Sequence, residues 1–341
     1  MSTIGVGIIG LGFMGRVHID AYARAELPNR LVAVADASKE RLSGRADPIG
    51  NLAAPTSAQV FDPATVRAYS DPAQLLQDAE VDLVSICTPT DTHAALAIAA
   101  LKAGKHVLLE KPAATSVEEV RAIAMAADTA DRLIMPAMCI RFWPGWTWLK
   151  DRIDDKVFGA LVGVTFTRMG SAPSWSNEFY LDPKRSGGAL LDLHIHDADF
   201  ILYALGKPES VCSQGTENHL TTMYRYASGP ARVVAEGGWG PSPGFPFRMR
   251  YTAQFERATA DWDLSREPAL LVARDGSCHP EPLPTQTAYE AQVQHMLEAV
   301  AAHGEGRPFS LRATIADAEA VTRLLLAERK SFTTGVPVSV G

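Results

Sequence analysis

Cysteine is scarce in this chain. Four occur in 341 residues, Cys87, Cys139, Cys212 and Cys278, and none stands in a CxxC pair or at zinc-finger spacing. That excludes a disulfide framework and a thiolate metal centre, and predicts free thiols in a reducing compartment. Charge of one sign is also lacking. The formal net charge is −7, which argues against nucleic acid or an anionic membrane as main partner. No apolar run approaches the roughly 18 residues of a membrane span. Internal repeats and low-complexity segments are absent as well. The first apolar run begins at Ile4, too early for a signal peptide, so a cytoplasmic protein is expected. What is present is ordinary for a globular protein: 47% hydrophobic and 21% charged residues, in a length that suits two domains with their own cores.

The most informative stretch opens the chain. Ile4 to Ile9 is apolar and runs into Gly10-Leu11-Gly12-Phe13-Met14-Gly15; RVHIDAYARAE follows, and LVAVAD then ends on Asp36. Strand, glycine turn, helix, strand and acidic residue is the order a Rossmann dinucleotide site needs. One glycine makes the turn, one admits a pyrophosphate against the backbone, and one lets helix and strand pack. The GxGxxG pattern also fits Gly5 to Gly10, but that register leaves no room for a preceding strand. Asp36 follows at the spacing of about 20 residues at which a carboxylate meets an adenosine ribose and repels a 2′-phosphate. NAD is therefore the expected cofactor, ahead of NADP.

Further strands are expected over Val81 to Cys87, His106 to Leu109 and Leu133 to Ala137, with helices over Thr92 to Ala103 and Ser116 to Asp128. Such alternation makes a doubly wound parallel sheet. Ligands of these sheets lie beyond the carboxyl ends of the strands. Gly10 to Gly15, Asp36, Thr88-Pro89-Thr90 and Glu110-Lys111-Pro112 all fall at such ends. Between Ser38 and Asp62, glycines and prolines leave a short helix and then a loop. The pattern changes near Arg141. Seven segments between Leu161 and Ala273 read as strands, several alternating apolar with polar, as an antiparallel sheet with one open face does. The fold class is thus an α/β Rossmann domain, residues 1–125, followed by an α+β domain with a largely antiparallel open-faced sheet, residues 126–341.

One helix of the second half carries candidate chemistry. It follows Gly187-Gly188, spans Ala189 to Leu205, and places Asp192, His196, Asp199 and Tyr203 on one polar row with His194 and Asp197 on another. Asp192 and His196 are i,i+4 neighbours, so the carboxylate can orient an imidazole general base. His194 with Asp197 is a second possible pair, and spacing does not choose between them. Solvated flanks of an amphipathic helix are the plain alternative. His-x-His shares a face on a strand but not on a helix, so no metal site is expected. Lys111, directly after a buried strand, is placed to stabilise negative charge on a substrate oxygen.

GLGFMG, Asp36, TPTDTH, Glu110-Lys111-Pro112 and GGALLDLHIHD together resemble the glucose–fructose oxidoreductase / inositol dehydrogenase (Gfo/Idh/MocA) family, along the whole length of the chain. The resemblance implies a catalytic set of Lys111, Asp192 and His196. It implies that Thr88, Pro89, Thr90 and His93 border the cofactor, that Glu110 and Lys111 lie by the nicotinamide ribose, and that Arg141 lies near cofactor or substrate. A sugar, inositol or related polyol substrate and a homodimer or homotetramer are implied too. Trp175 is the residue expected to stack on a sugar ring. The chain departs from the family at Pro48 and Pro55, where a regular helix is usual, and at His194, where many members carry glycine; His194 is expected either to line the substrate pocket or to sit on the helix flank. Two other activities occur in the family: NAD-dependent glycosidases that oxidise transiently, and a sugar sensor that binds dinucleotide without turnover. The retained Lys111 and His196 speak against the sensor.

Overall fold

The computed structural model describes residues 3–45, 59–173, 177–180 and 182–340. They form two compact units, Met1–Cys139 with Thr287–Glu319, and Ile140–Gln286 with Ala320–Gly341. The first unit thus runs past residue 125 and takes back a segment near the carboxyl end.

The first unit begins β1 (Ile4–Ile9), α1 (Phe13–Arg24), β2 (Asn29–Ala35), β3 (Arg67–Tyr69), α2 (Pro72–Leu76) and β4 (Leu83–Ile86). It continues α3 (His93–Lys102), β5 (His106–Leu109), α4 (Val117–Ala130) and β6 (Ile134–Pro136). All its strand pairs are parallel, in the order β3-β2-β1-β4-β5-β6. Every residue of β1, β4 and β5 is buried, which is why these strands are continuously apolar. Two of these helices start where a side chain caps them: Asp71 accepts from the Ala73 amide for α2, and Ser116 from the Glu119 amide for α4. The order reverses direction between β1 and β4, the switch point where such sheets bind ligands.

The second unit holds α5 (Pro144–Asp155), β7 (Leu161–Met169), the short α6 (Asn177–Tyr180) and α7 (Pro183–Ser186), and α8 (Ile195–Leu205). Then come β8 (Ser210–Thr216), β9 (His219–Arg225), β10 (Arg232–Gly238), β11 (Arg248–Phe255), β12 (Thr259–Asp263), β13 (Leu270–Arg274) and β14 (Ser277–Pro280). The helix α9 (Ala288–Gly304), started by a Thr287/Glu290 capping box, belongs to the first unit. It is followed by α10 (Ile315–Thr334) and by β15 (Val338–Ser339), which pairs with β8. The nine strands order as β14-β13-β12-β11-β7-β10-β9-β8-β15, antiparallel except for the parallel pair β7 and β10. Strand β11 alternates exposed and buried residues throughout, the mark of a sheet covered on one face. Under it, Trp146, Tyr251 and Trp262 stack edge to face or face to face around Phe166 and Phe200.

The expected regular helix over Ala189 to Leu205 is corrected in one respect. Residues Leu190–His194 form a π-helical turn, and α8 begins only at Ile195. The strands β14 and β15 were not expected. Each is short, and β14 is exposed along its whole length, so neither carries an apolar alternation that a sequence reading could detect.

Candidate active site

In the first unit the glycine motif follows β1. Gly10 has φ +93°, and a Cβ there would lie 2.6 Å from the Cys87 carbonyl oxygen, so the turn needs glycine. A Cβ on Gly15 would lie 1.9 Å from the Gly10 carbonyl oxygen, which is how closely helix and turn approach. Gly12 differs: no atom lies within 4 Å of the place its Cβ would take. It caps α1 with no side-chain hydrogen bond, and the first turn carries no acidic residue. The positive end of the helix therefore faces an open cradle, with no acidic residue in the helix's own first turn, the setting a pyrophosphate requires.

Asp36 follows the end of β2, beside the glycine turn. Its carboxylate accepts from the Leu11 amide at 2.7 Å and the Ser38 amide at 2.8 Å, tying the end of β2 to the glycine turn. Oxygen lone pairs beyond these two bonds suit a ribose hydroxyl. Arg41, which the sequence reading did not single out, stands 3.6 Å away.

Across the switch point, His93 opens α3, 1% exposed. Its ring nitrogens lie 2.8 Å from the carbonyl oxygens of Thr88 and Pro112, so it joins the loops after β4 and β5. Burial pushes its pKa down, more than the two carbonyls and Glu110 pull it up. Glu110 is 5% exposed and accepts from the Lys111 amide at 3.1 Å. Its carboxylate also lies 3.0 Å from Nε2 of His18, a fully buried α1 residue missed in the sequence. Burial alone would raise the Glu110 carboxyl, but the bond from His18 and the charge of Lys111 outweigh it and hold it below the usual range. The Lys111–Pro112 peptide is cis. The signal for His18 was present, since it lies three residues after Gly15 on the face that packs on the sheet.

A cavity of about 500 Å³, lined among others by Glu26, Gln294, Arg307 and Phe309, lies in the same unit. Glu26 precedes β2, so this cavity is at the opposite end of the strands from the glycine motif.

In the second unit, Gly187 and Gly188 both have left-handed backbones, φ +76° and +69°, and lead into the π turn. Asp192 lies within that turn and His196 in the first turn of α8, both half-buried. The other polar residues of the segment are committed elsewhere. Asp197, 1% exposed, is held by Arg168 through two bonds of 2.9 Å. Asp199 is held by Arg141 at 2.9 and 2.7 Å, with the Arg141 guanidinium 4.7 Å from the Tyr203 ring centre. His194 is fully buried, with Nε2 2.8 Å from the Glu328 carboxylate and 3.2 Å from the Tyr224 hydroxyl. His194 and Asp197 are therefore not a catalytic pair, and neither is a solvated flank. Glu328 and Tyr224 carried no local signal, because they meet His194 only through tertiary packing. Trp175 lies outside the described residues. Among the described residues, no group of three histidine, cysteine or acidic side chains is placed to hold a metal ion, and no helix is long and apolar enough to cross a membrane.

The chain is similar to known proteins along both units. The family profile described as an oxidoreductase family with an NAD-binding Rossmann fold matches residues 4–138, and the GFO/IDH/MocA C-terminal domain matches residues 146–236. The chain is 30% identical to the myo-inositol 2-dehydrogenase of Thermotoga maritima over 62% of this chain and 58% of that protein. The match thus spans less than two thirds of that relative. It is 26% identical to a D-xylose 1-dehydrogenase (NADP(+)) of Haloferax volcanii, over 86% of this chain and 88% of the other. The solved structure of a levoglucosan dehydrogenase in complex with NADH and levoglucosan superposes with a TM-score of 0.81 at 22% identity, covering 99% of this chain and 100% of that one, which speaks to the fold alone.

Proposed function

Since the chain belongs to the Gfo/Idh/MocA family of NAD-binding Rossmann oxidoreductases, we propose that it is a nicotinamide-dependent dehydrogenase of a sugar, inositol or related polyol. The observation that carries this reading is the edge of the first sheet. There the ends of β1, β2, β4 and β5 bring together the open Gly12 cradle, Asp36, the Thr88–Thr90 loop and Glu110-Lys111. The relatives' dehydrogenase names support it.

Gly10 to Gly15, with Phe13 and Met14 at the start of α1, would hold the pyrophosphate, and Asp36 the adenosine ribose. Thr88, Pro89, Thr90 and His93 would border the cofactor, with Glu110 and Lys111 at the nicotinamide ribose. When bound, the nicotinamide supplies the hydride acceptor that no side chain can replace. His196 takes the proton of the substrate hydroxyl. Asp192 orients its imidazole and stabilises the charge it gains. The Lys111 ammonium hydrogen-bonds the substrate oxygen and stabilises the negative charge that develops there. Arg141 then acts through its buried pair with Asp199, keeping α8 in place.

NAD is the preferred cofactor because of Asp36. One observation favours NADP as a second cofactor: Arg41 stands beside Asp36 and is partly exposed, where a guanidinium would meet a 2′-phosphate. The deciding experiment presents inositols, aldoses and sugar acids with NAD and with NADP and follows absorbance of the reduced cofactor. Net reduction with at least one substrate, lost in Lys111→Ala and His196→Ala, is expected. Substrate cleavage without net reduction would replace this reading by the transient-oxidation glycosidase. Full activity in both variants would remove the assigned roles.

A further inference from the structure

A π-helical turn is rarely stable by itself. Its i→i+5 bonds are poorer than the α pattern, and it persists as single turns, often at functional sites. Here the turn Leu190–His194 carries Asp192 and directly precedes His196. Its beginning is tied to the β8–β9 hairpin by the bond from the Leu190 amide to the Glu217 carbonyl, 2.9 Å. Its middle is tied by Leu193, packed with Ala189 and Trp239. Its end is tied by His194.

The receptor for His194 is a buried polar cluster. The Glu328 carboxylate on α10 is fully buried. It accepts from Tyr224 Oη at 2.8 Å and Thr222 Oγ1 at 3.0 Å, and faces His194 Nε2 at 2.8 Å. The Thr222 hydroxyl is bonded in turn to Ser213 at 2.8 Å, and the Ser213 amide to Ser331 at 2.9 Å. Beneath the ring lies Gly237 of β10, where a Cβ would come within 2.7 Å of His194 Nδ1. A glycine on β10 and a carboxylate on α10 thus make room and charge for one imidazole. Of the other charges near it, Asp197 adds to the attraction and Arg168 opposes it. A buried carboxylate left without such donors is strongly unfavourable, so the cluster holds His194 firmly.

We propose that His194 and Glu328 are positioning residues for the proton transfer: their contact keeps the π turn in register and so sets Asp192 relative to His196. If the turn relaxed to i→i+4 pairing, the chain before α8 would rotate by up to about 100° about the helix axis, since an α-helix has 3.6 residues per turn. The angle between the Asp192 and His196 side chains about the helix axis would then change, although neither had been altered. This role rests on the dehydrogenase reading for Asp192 and His196.

The test compares Glu328→Gln and Tyr224→Phe with Asp192→Asn, singly and combined, and adds a crystal structure of Glu328→Gln. Tyr224→Phe removes one hydrogen bond and covers the case in which the charge change prevents folding. Turnover at saturating substrate is expected to fall at least tenfold in Glu328→Gln and less in Tyr224→Phe, with KM within about threefold of the parent. Glu328→Gln combined with Asp192→Asn loses no more than Asp192→Asn alone, because both remove one function. Losses that multiply, or unchanged turnover in folded Glu328→Gln, overturn the proposal. A merely structural role lowers the melting temperature but leaves the losses independent. If the wild type turns over no substrate, the dehydrogenase reading fails instead. The crystal structure then decides: a relaxed turn supports the clamp, and an intact π turn refutes it.

Discussion

The glycine motif makes a sharp prediction, because its last two glycines have opposite surroundings. At Gly12 an added methyl meets nothing within 4 Å, and the backbone there is extended with φ −66°, open to any L-residue. Alanine at a helix N-cap is worse than glycine by a few tenths to about 1 kcal/mol, and removing glycine from the unfolded chain gains a similar amount. Gly12→Ala should therefore fold with a stability within about 1 kcal/mol of the parent, a melting shift of no more than about 4 °C. The methyl would nevertheless fill the space through which a pyrophosphate reaches the backbone amides. Hydrogen bonds to a charged group contribute about 1.5–3 kcal/mol each, so loss of one or two should weaken NADH binding by roughly 10-fold or more. At Gly15 the methyl would press within 1.9 Å of a backbone carbonyl, and overpacking of this kind destabilises by about 1–3 kcal/mol or more. Calorimetric titration with NADH and thermal denaturation of both variants read the two effects separately. If Gly12→Ala bound NADH within threefold of the parent, the phosphates would not approach this turn, and the cofactor assignment for Gly10 to Gly15 would fall.

Other parts of the first unit are open to equally direct tests. His18→Ala leaves the Glu110 carboxylate buried with one donor fewer. It should reduce stability by about 2–3 kcal/mol in chemical denaturation and slow turnover by disturbing Lys111, whereas an unchanged denaturation midpoint would show that the pair carries no weight. Arg41→Ala should lower the ratio of kcat/KM for NADP over NAD about fivefold or more, and an unchanged ratio would remove Arg41 from cofactor choice. The last test concerns acid. His106 is buried and accepts the Leu133 amide on Nδ1, and burial pushes its pKa down to about 4. Between about pH 6.5 and 4 the unfolded chain binds a proton that the folded chain does not, so the contribution of His106 is complete above about pH 6.5 and is lost as pH falls toward 4. The loss between about pH 7 and pH 5 is about 2 kcal/mol, seen as a steeper fall in denaturation midpoint than in His106→Asn.

Much of the site was legible because it rests on local chemistry. A strand buried on both faces, a turn that tolerates only glycine and a helix that must pack on that turn are all short-range demands, so Ile4 to Asp36 shows them in order. Glu110-Lys111 and Gly187-Gly188 with Asp192 and His196 are similarly local. What was not legible depends on residues far apart in sequence. His194 and Asp197 look like a pair on a helical projection, yet each has a stronger partner on another element, Glu328 and Arg168. The π turn leaves no trace in an apolar pattern, since one added residue shifts the register without changing which residues are hydrophobic. The return of Thr287–Glu319 to the first unit is equally silent, because α9 is simply an amphipathic helix until it meets α1.

By itself, then, the sequence determined the two fold classes, the glycine turn with its acidic residue and a small set of candidate residues for the chemistry. These follow from backbone sterics, strand and helix periodicity and charge, which act over a few residues. Only the tertiary structure decided which of those residues are tied down. Burial makes every unpaired charge unfavourable, so Asp197, Asp199 and His194 had to find partners in Arg168, Arg141 and Glu328, and those partners are set by how the sheets and helices pack.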